Sequence, residues 1–168
     1  MAELTSVERI IRVLQRQEPD RVPHFEWLVD RKVREALCPG CKDYTAFAVR
    51  MGHDAILADP IFKKDRVGDR RWLSEWGYVV EYSGEEHGVE VECPIATMAD
   101  FERYRPPDPH APGRYAAIEQ AVREFEGYKA VIVHLNDVFS LPRYLMGMEN
   151  LLLAIATEPE LVRALVNL

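Results

Sequence analysis

Lys129-Ala130-Val131-Ile132-Val133-His134-Leu135 is the stretch whose reading decides the fold. Its apolar run is continuous rather than alternating, and it is rich in β-branched residues. A strand covered on both faces needs that pattern, and such strands belong to parallel sheets. Asp54-Ala55-Ile56-Leu57-Ala58-Asp59-Pro60 has the same character and is bounded by Gly52 and Pro60. Arg21-Val22-Pro23-His24-Phe25-Glu26-Trp27-Leu28 reads as a third short strand, with its proline near the start, where a missing N–H is tolerated.

Helical patterns lie between these strands. Thr5-Ser6-Val7-Glu8 fits a capping box, and Val7, Ile10, Ile11 and Leu14 follow as one stripe. Short helices are expected over Arg31 to Leu37 and Asp43 to Met51, the second closed by Gly52. Tyr115 to Phe125 and Leu141 to Ala156 read as longer helices. One more starts at Glu158-Pro159, with Leu161, Leu165 and Leu168 on a stripe.

Trp76, Tyr78, Val80 and Tyr82 alternate, as do Val89 and Val91, with Ser83 to Gly88 between them. This predicts an inserted β-hairpin over about 72–93. The mixed-sign stretch from Asp65 to Arg71 reads as a solvated loop, and the prolines of 105–113 forbid a regular element. The alternation of helices and strands points to α/β architecture. Three core strands and a final helical pattern without a capping glycine predict part of a larger fold. Open edges and uncovered helix faces then predict oligomers or aggregates.

Composition excludes several classes. Among 168 residues, 28 are acidic and 21 basic, a formal net charge of -7. That balance opposes a nucleic-acid partner, which needs clustered Lys and Arg. No apolar run approaches the roughly 18–20 residues that span a bilayer, and the N-terminus has no apolar signal core. A cytoplasmic protein with three reduced cysteines is the expectation. Cys38-Pro39-Gly40-Cys41 could hold zinc or cycle as a dithiol, but Pro-Gly is ordinary turn chemistry, and the turn is the preferred reading.

Candidate site residues sit at strand carboxyl ends, where parallel α/β folds gather ligands. These are His24 and Glu26, then Asp59, then His134, Asn136 and Asp137. Alternation puts His134 and Asn136 on one face and Asp137 on the other. The structural alternatives are plain: Asp59-Pro60 and Asn136-Asp137 as turns or helix caps, and His24 as a satisfied core histidine. His87 and His110 fall in loops with solvated roles. There is no glycine-rich phosphate loop and no Gly-x-Ser-x-Gly.

Several segments resemble the uroporphyrinogen decarboxylase-like superfamily, which also holds cobalamin-dependent methyltransferases. They are Thr5 to Ile11 with Glu18 to Pro23, Gly52 to Pro60, and Phe139 to Gly147, followed by Glu149 to Leu152 and Glu158 to Val162. The resemblance implies the N-terminal half of a (β/α)8 TIM-type barrel with an inserted β-hairpin, so that 1–168 is a partial barrel domain. It implies that Asp59 holds pyrrole nitrogens or stabilises a protonated pyrrole, and that Tyr144 is a pocket tyrosine. His24 and His134 become proton-transfer candidates and Asn136 a substrate contact.

The departures from the family pattern redirect the activity. The decarboxylases carry an arginine-rich loop after the first strand; here that region is His24 to Lys32, and Glu26 brings the opposite charge. Asn136-Asp137-Val138 stands where the family usually shows Gly-x-Pro. The corrinoid methyltransferase branch is therefore the expected one, with porphyrin decarboxylation and a non-catalytic half-barrel module as alternatives. Partners would be a tetrapyrrole, corrinoid or methylated small molecule, and a homo-oligomer. No cofactor is expected on this chain: zinc and a corrinoid would need the second half of the family fold, beyond Leu168, and none of the three cysteines matches a ligand. The chain by itself is expected to be inactive.

Overall fold

The computed structural model describes residues 3–84 and 87–168. In chain order the helices are α1 (Ser6–Leu14), α2 (Arg31–Leu37), α3 (Tyr44–Arg50), α4 (Met98–Arg103), α5 (Ala116–Phe125), α6 (Ser140–Met146), α7 (Met148–Thr157) and α8 (Pro159–Val166). The strands are β1 (Ala55–Leu57), β2 (Lys64–Arg66), β3 (Arg71–Ser74), β4 (Val79–Glu81), β5 (Val89–Glu92) and β6 (Ala130–Ile132). They form two compact units. One is the chain up to Ile61 with Tyr115–His134; the other is Phe62–Arg114 with Leu135–Leu168.

In the first unit β1 and β6 pair in parallel, with Ile56 opposite Val131. The two apolar runs thus form the parallel pair that their composition requires. Helices α3 and α5 cover it: Ile56, Ala58, Ala48, Ala121 and Phe125 are buried together. Burial of a side chain such as Ile56 or Phe125 is worth roughly 1.5–3 kcal/mol. Asp43 caps α3, accepting from the Ala46 N–H, and Gly52 (φ 73°) takes the left-handed turn that ends it.

Three expectations for this unit are corrected. Arg21 to Leu28 joins no sheet, so two parallel strands are present among the described residues rather than three. Pro23 has no N–H to give a ladder, and His24 is held instead by Asp54. The capping box of α1 forms, with Glu8 N–H on Thr5 Oγ1 and Thr5 N–H on Glu8 Oε2. Its predicted stripe is not the buried face: Ile10 is buried but Ile11 and Leu14 are exposed, because Arg9 turns inward to an ion cluster. Finally, Cys38 and Cys41 are joined in a disulfide rather than reduced. The Pro-Gly turn does form, with Cys41 N–H on the Cys38 carbonyl and Gly40 at φ 87°. It leaves the Cα atoms 5.6 Å apart, within disulfide range.

The second unit is built on a four-stranded antiparallel meander, in order β2-β3-β4-β5. The expected single hairpin over 72–93 is thus only part of the sheet. Gly77 (φ 86°), its N–H on the Ser74 carbonyl, turns the chain between β3 and β4, so that Trp76 at the head of the alternating run falls in the turn and Val80 in β4. Strand β2 comes from the stretch read as a solvated loop. All three of its residues are exposed, so it carries no alternation to read. Within the loop from Ser83 to Gly88, residues 85 and 86 lie outside the described residues. At Gly88 a Cβ would sit 2.1 Å from Val80 Cγ1, so only glycine fits against β4.

Helices α4, α6, α7 and α8 supply this unit's core, in which Ile95, Leu145, Leu151, Leu161 and Leu165 are buried. Helix α4 was not foreseen; Thr97 and Asp100 close a capping box that starts it. The helix read over Leu141 to Ala156 is two helices. Gly147, at φ 85° and ψ 148°, breaks it between α6 and α7. In α8, Leu161 and Leu165 are buried as expected, but Leu168 is exposed. The architecture is mixed α/β with one parallel and one antiparallel sheet. Neither sheet closes into a barrel among the described residues. No helix among them is long and apolar enough to cross a membrane.

Candidate functional site

At the carboxyl end of the parallel pair, the Ala58 N–H donates to the Ile132 carbonyl (3.0 Å), carrying the pairing one residue past the end of β1. That contact sets Asp59 beside His134. Asp59 Oδ1 accepts the His134 backbone N–H at 3.1 Å, and Asp59 Oδ2 lies 4.0 Å from His134 Nδ1. The two side chains are 50% and 43% exposed, so both are open to a ligand. The Trp27 ring lies 5.1 Å from the imidazole, tilted by 42°. A carboxylate, an imidazole and an indole therefore converge at the strand ends. This set can accept an N–H, transfer a proton, or stack on a planar ring.

His24 belongs elsewhere in this unit. Its Nε2 is 3.5 Å from Glu26 Oε1, and its ring meets His53 edge-on at 4.7 Å. At 53% exposed it is not a core histidine; His53, at 2%, is. Burial, and then the neighbouring His24, push the His53 imidazole below its ordinary pKa, so neutrality is favoured.

Beneath these residues lies an ion cluster centred on Asp54, which is fully buried. Its carboxylate accepts from Ser6 Oγ (3.0 Å), Arg9 Nη1 (2.7 Å), Arg21 Nη1 and Nη2 (2.7 and 2.8 Å) and the His24 N–H (2.8 Å). Burial alone would raise the pKa of this carboxyl. The donors, led by Arg21 and the His24 N–H, outweigh burial and hold it at about 2. Arg9 also grips Asp20 through Nε (2.6 Å) and Nη2 (2.8 Å). Lys129, buried at the start of β6, donates its ammonium to the His53 carbonyl. This cluster fastens α1 and the 20–24 segment to the amino ends of β1 and β6. Its members are engaged with one another, so it anchors the end of the parallel pair opposite Asp59 and His134.

In the second unit Asn136 is exposed, and Asp137 caps α6, accepting the Phe139 and Ser140 N–H groups at 2.9 and 2.6 Å. The capping alternative is thus met at Asp137. Tyr144 stacks on Tyr78, with centroids 5.1 Å apart and planes 16° apart, and the Arg143 guanidinium lies 4.1 Å from the Tyr144 ring centroid. Arg143 Nη1 also binds Glu90 at 2.7 Å. Tyr144, Tyr78, Tyr82 and Trp72 border a cleft of about 160 Å³. Burial raises the Tyr78 hydroxyl pKa, keeping it a donor. Asp59 with His134 and Tyr144 with Asn136 therefore lie in separate units.

Sequence reasoning missed Trp27 and Tyr78, each of which packs on a predicted site residue, and the whole Asp54 cluster. An acid directly before an apolar strand was the available signal for Asp54. No three His, Cys, Asp or Glu side chains among the described residues converge as a metal site.

One family model matches: uroporphyrinogen decarboxylase (URO-D), over residues 73–168. The match runs from β3 to the last residue and takes in His134, Asn136 and Tyr144, while His24 and Asp59 precede it. No curated protein and no solved structure matches the chain. With more than half of its residues matched, including the β6 strand end and the Tyr144 helix, the chain belongs to the uroporphyrinogen decarboxylase (URO-D) family.

Proposed function

We propose that this chain forms one wall of the active site of a URO-D-like (β/α)8 barrel enzyme, in the corrinoid-dependent methyltransferase branch. The observation that carries the proposal is the Asp59–His134 pair at the carboxyl end of β1 and β6, with Trp27 against the imidazole. Ligands of parallel α/β folds bind at that end. Asp59 would accept hydrogen bonds from the amide N–H groups on the periphery of the corrinoid, bonds strengthened by the charge on its carboxylate. His134 would act as its proton-transfer neighbour.

The charge of the 24–32 segment favours methyl transfer over porphyrin decarboxylation. A polycarboxylate porphyrinogen needs cationic clamps, yet Glu26 and Asp30 offset Arg31 and Lys32 here, and Arg31 is paired with Glu35. A corrinoid, whose periphery bears amides, needs no such clamp. A non-catalytic module that self-associates is the second reading, favoured by the exposure of Leu152, Leu153 and Ile155 on α7.

Equilibrium dialysis against methylcobalamin and, separately, uroporphyrin tests the proposal. Saturable methylcobalamin binding, weakened tenfold or more by Asp59→Asn, is expected; tenfold corresponds to about 1.4 kcal/mol. Binding of uroporphyrin alone would move the assignment to the decarboxylase branch. Binding of neither would leave the module.

A further inference from the structure

The strand-end site makes no use of the Cys38-Pro39-Gly40-Cys41 turn. Cys38 is the C-cap of α2 and 2% exposed, whereas Cys41 is partly exposed. A recess of about 400 Å³ opens over the pair, with Arg31, Arg34 and Lys42 on its walls beside Glu35 and Asp43. Helix α2 has seven residues, none of them buried. A helix that short has no stability of its own in water. The disulfide at its C-cap is the covalent tie between α2 and the turn that leads into α3.

We propose that Cys38–Cys41 is a thiol–disulfide exchange site for a small anionic thiol, and that reducing it releases α2. Exposure selects the sulfur attacked. An incoming thiolate reaches Cys41 Sγ, forms a mixed disulfide with it, and expels Cys38 as a thiolate. A second thiolate attacks the incoming sulfur of that mixed disulfide, releasing the small-molecule disulfide and the Cys41 thiolate. Two thiols thus supply the two electrons that reduce one protein disulfide, and the reverse steps reoxidise it. The Arg34 and Lys42 cations on the walls, beside the paired Arg31 and Glu35, draw an anionic thiol. Closing so short a loop gains little from chain entropy, so the bond braces α2 locally rather than the whole unit and is suited to exchange.

The experiment titrates the full chain in glutathione buffers of varied reduced-to-oxidised ratio, quenches with acid, alkylates and weighs the protein. One two-electron transition confined to Cys38 and Cys41 is expected. In Cys38→Ser, oxidised glutathione should add to Cys41 at least tenfold faster than to Cys93. Amide exchange over residues 31–37 should quicken at least tenfold on reduction, with α3 unchanged. A pair that stays dithiol in oxidised glutathione, or stays bonded in excess reduced glutathione, overturns the proposal. So do equal adduct rates at Cys41 and Cys93, or equal protection of α2 in both states. If Cys38→Ser does not fold, the wild-type titration and exchange data decide.

Discussion

Replacing Asp54 by Asn removes one negative charge from a fully buried, heavily hydrogen-bonded side chain in the first unit. The carboxylate accepts five hydrogen bonds, three of them from the guanidinium groups of Arg9 and Arg21. Asn keeps the shape but offers one acceptor oxygen and turns an N–H₂ toward cationic donors. Arg21 is half exposed and recovers water, so its loss is small. Arg9 is 3% exposed and cannot. It retains Asp20, which limits the damage. Removing one partner of a buried ion pair costs about 3–5 kcal/mol, and the retained Asp20 places Asp54→Asn near the lower end, about 3 kcal/mol. For a chain of this size that lowers Tm by roughly 6–12 °C. Thermal melts at pH 7 followed by circular dichroism measure it, and amide exchange at residues 20–24 should quicken, because the His24 N–H loses its carboxylate. A Tm within 2 °C of wild type, with exchange unchanged at His24, would refute the reasoning and make the cluster a bystander.

Acid should act on the same group: its pKa falls from 3.8 to about 2 on folding, so the stability it contributes is present above pH 3.8 and is lost as pH drops through 2. Melts between pH 5 and 2 should show a decline that is absent in Asp54→Asn. Gly147→Ala forces a side chain onto a backbone at φ 85° and ψ 148°, which should cost roughly 1–3 kcal/mol in chemical denaturation. The nearest atom, Cys93 Sγ at 3.5 Å, leaves room for the Cβ, so the penalty should persist in Cys93→Ala. Arg143→Ala leaves Glu90, 8% exposed, without its guanidinium and strips the cation from the Tyr144 ring; about 2 kcal/mol of stability should be lost. The double variant with Glu90→Gln should recover part of that loss.

The sequence made the parallel pair legible because both strands are continuous apolar runs, a pattern that no exposed element shares. The N-terminal capping box and the Pro-Gly turn were legible because their chemistry is local. The rest depended on partners distant in the chain. Strand β2 is entirely exposed, so only its pairing with β3 marks it as a strand. Helix α1 shows a good apolar stripe yet buries Arg9, since Asp54, 45 residues further on, outweighs that stripe. The break at Gly147 was hidden by strongly helical residues on both sides. At the candidate site, Asp59 and His134 were readable from their strand-end positions. Trp27 was not, because its segment was read as a strand rather than as an extended arm reaching His134.

The central claim is that Asp59 and His134 face a bound ring system at the strand ends. Imidazole resonances of the full chain, recorded while methylcobalamin is added, test it most directly. The account predicts saturable shifts at His134, with His110, exposed in the proline-rich connector, unmoved, and loss of the His134 response in Asp59→Asn. A ligand that binds without perturbing His134, or that perturbs it equally in Asp59→Asn, would contradict the account.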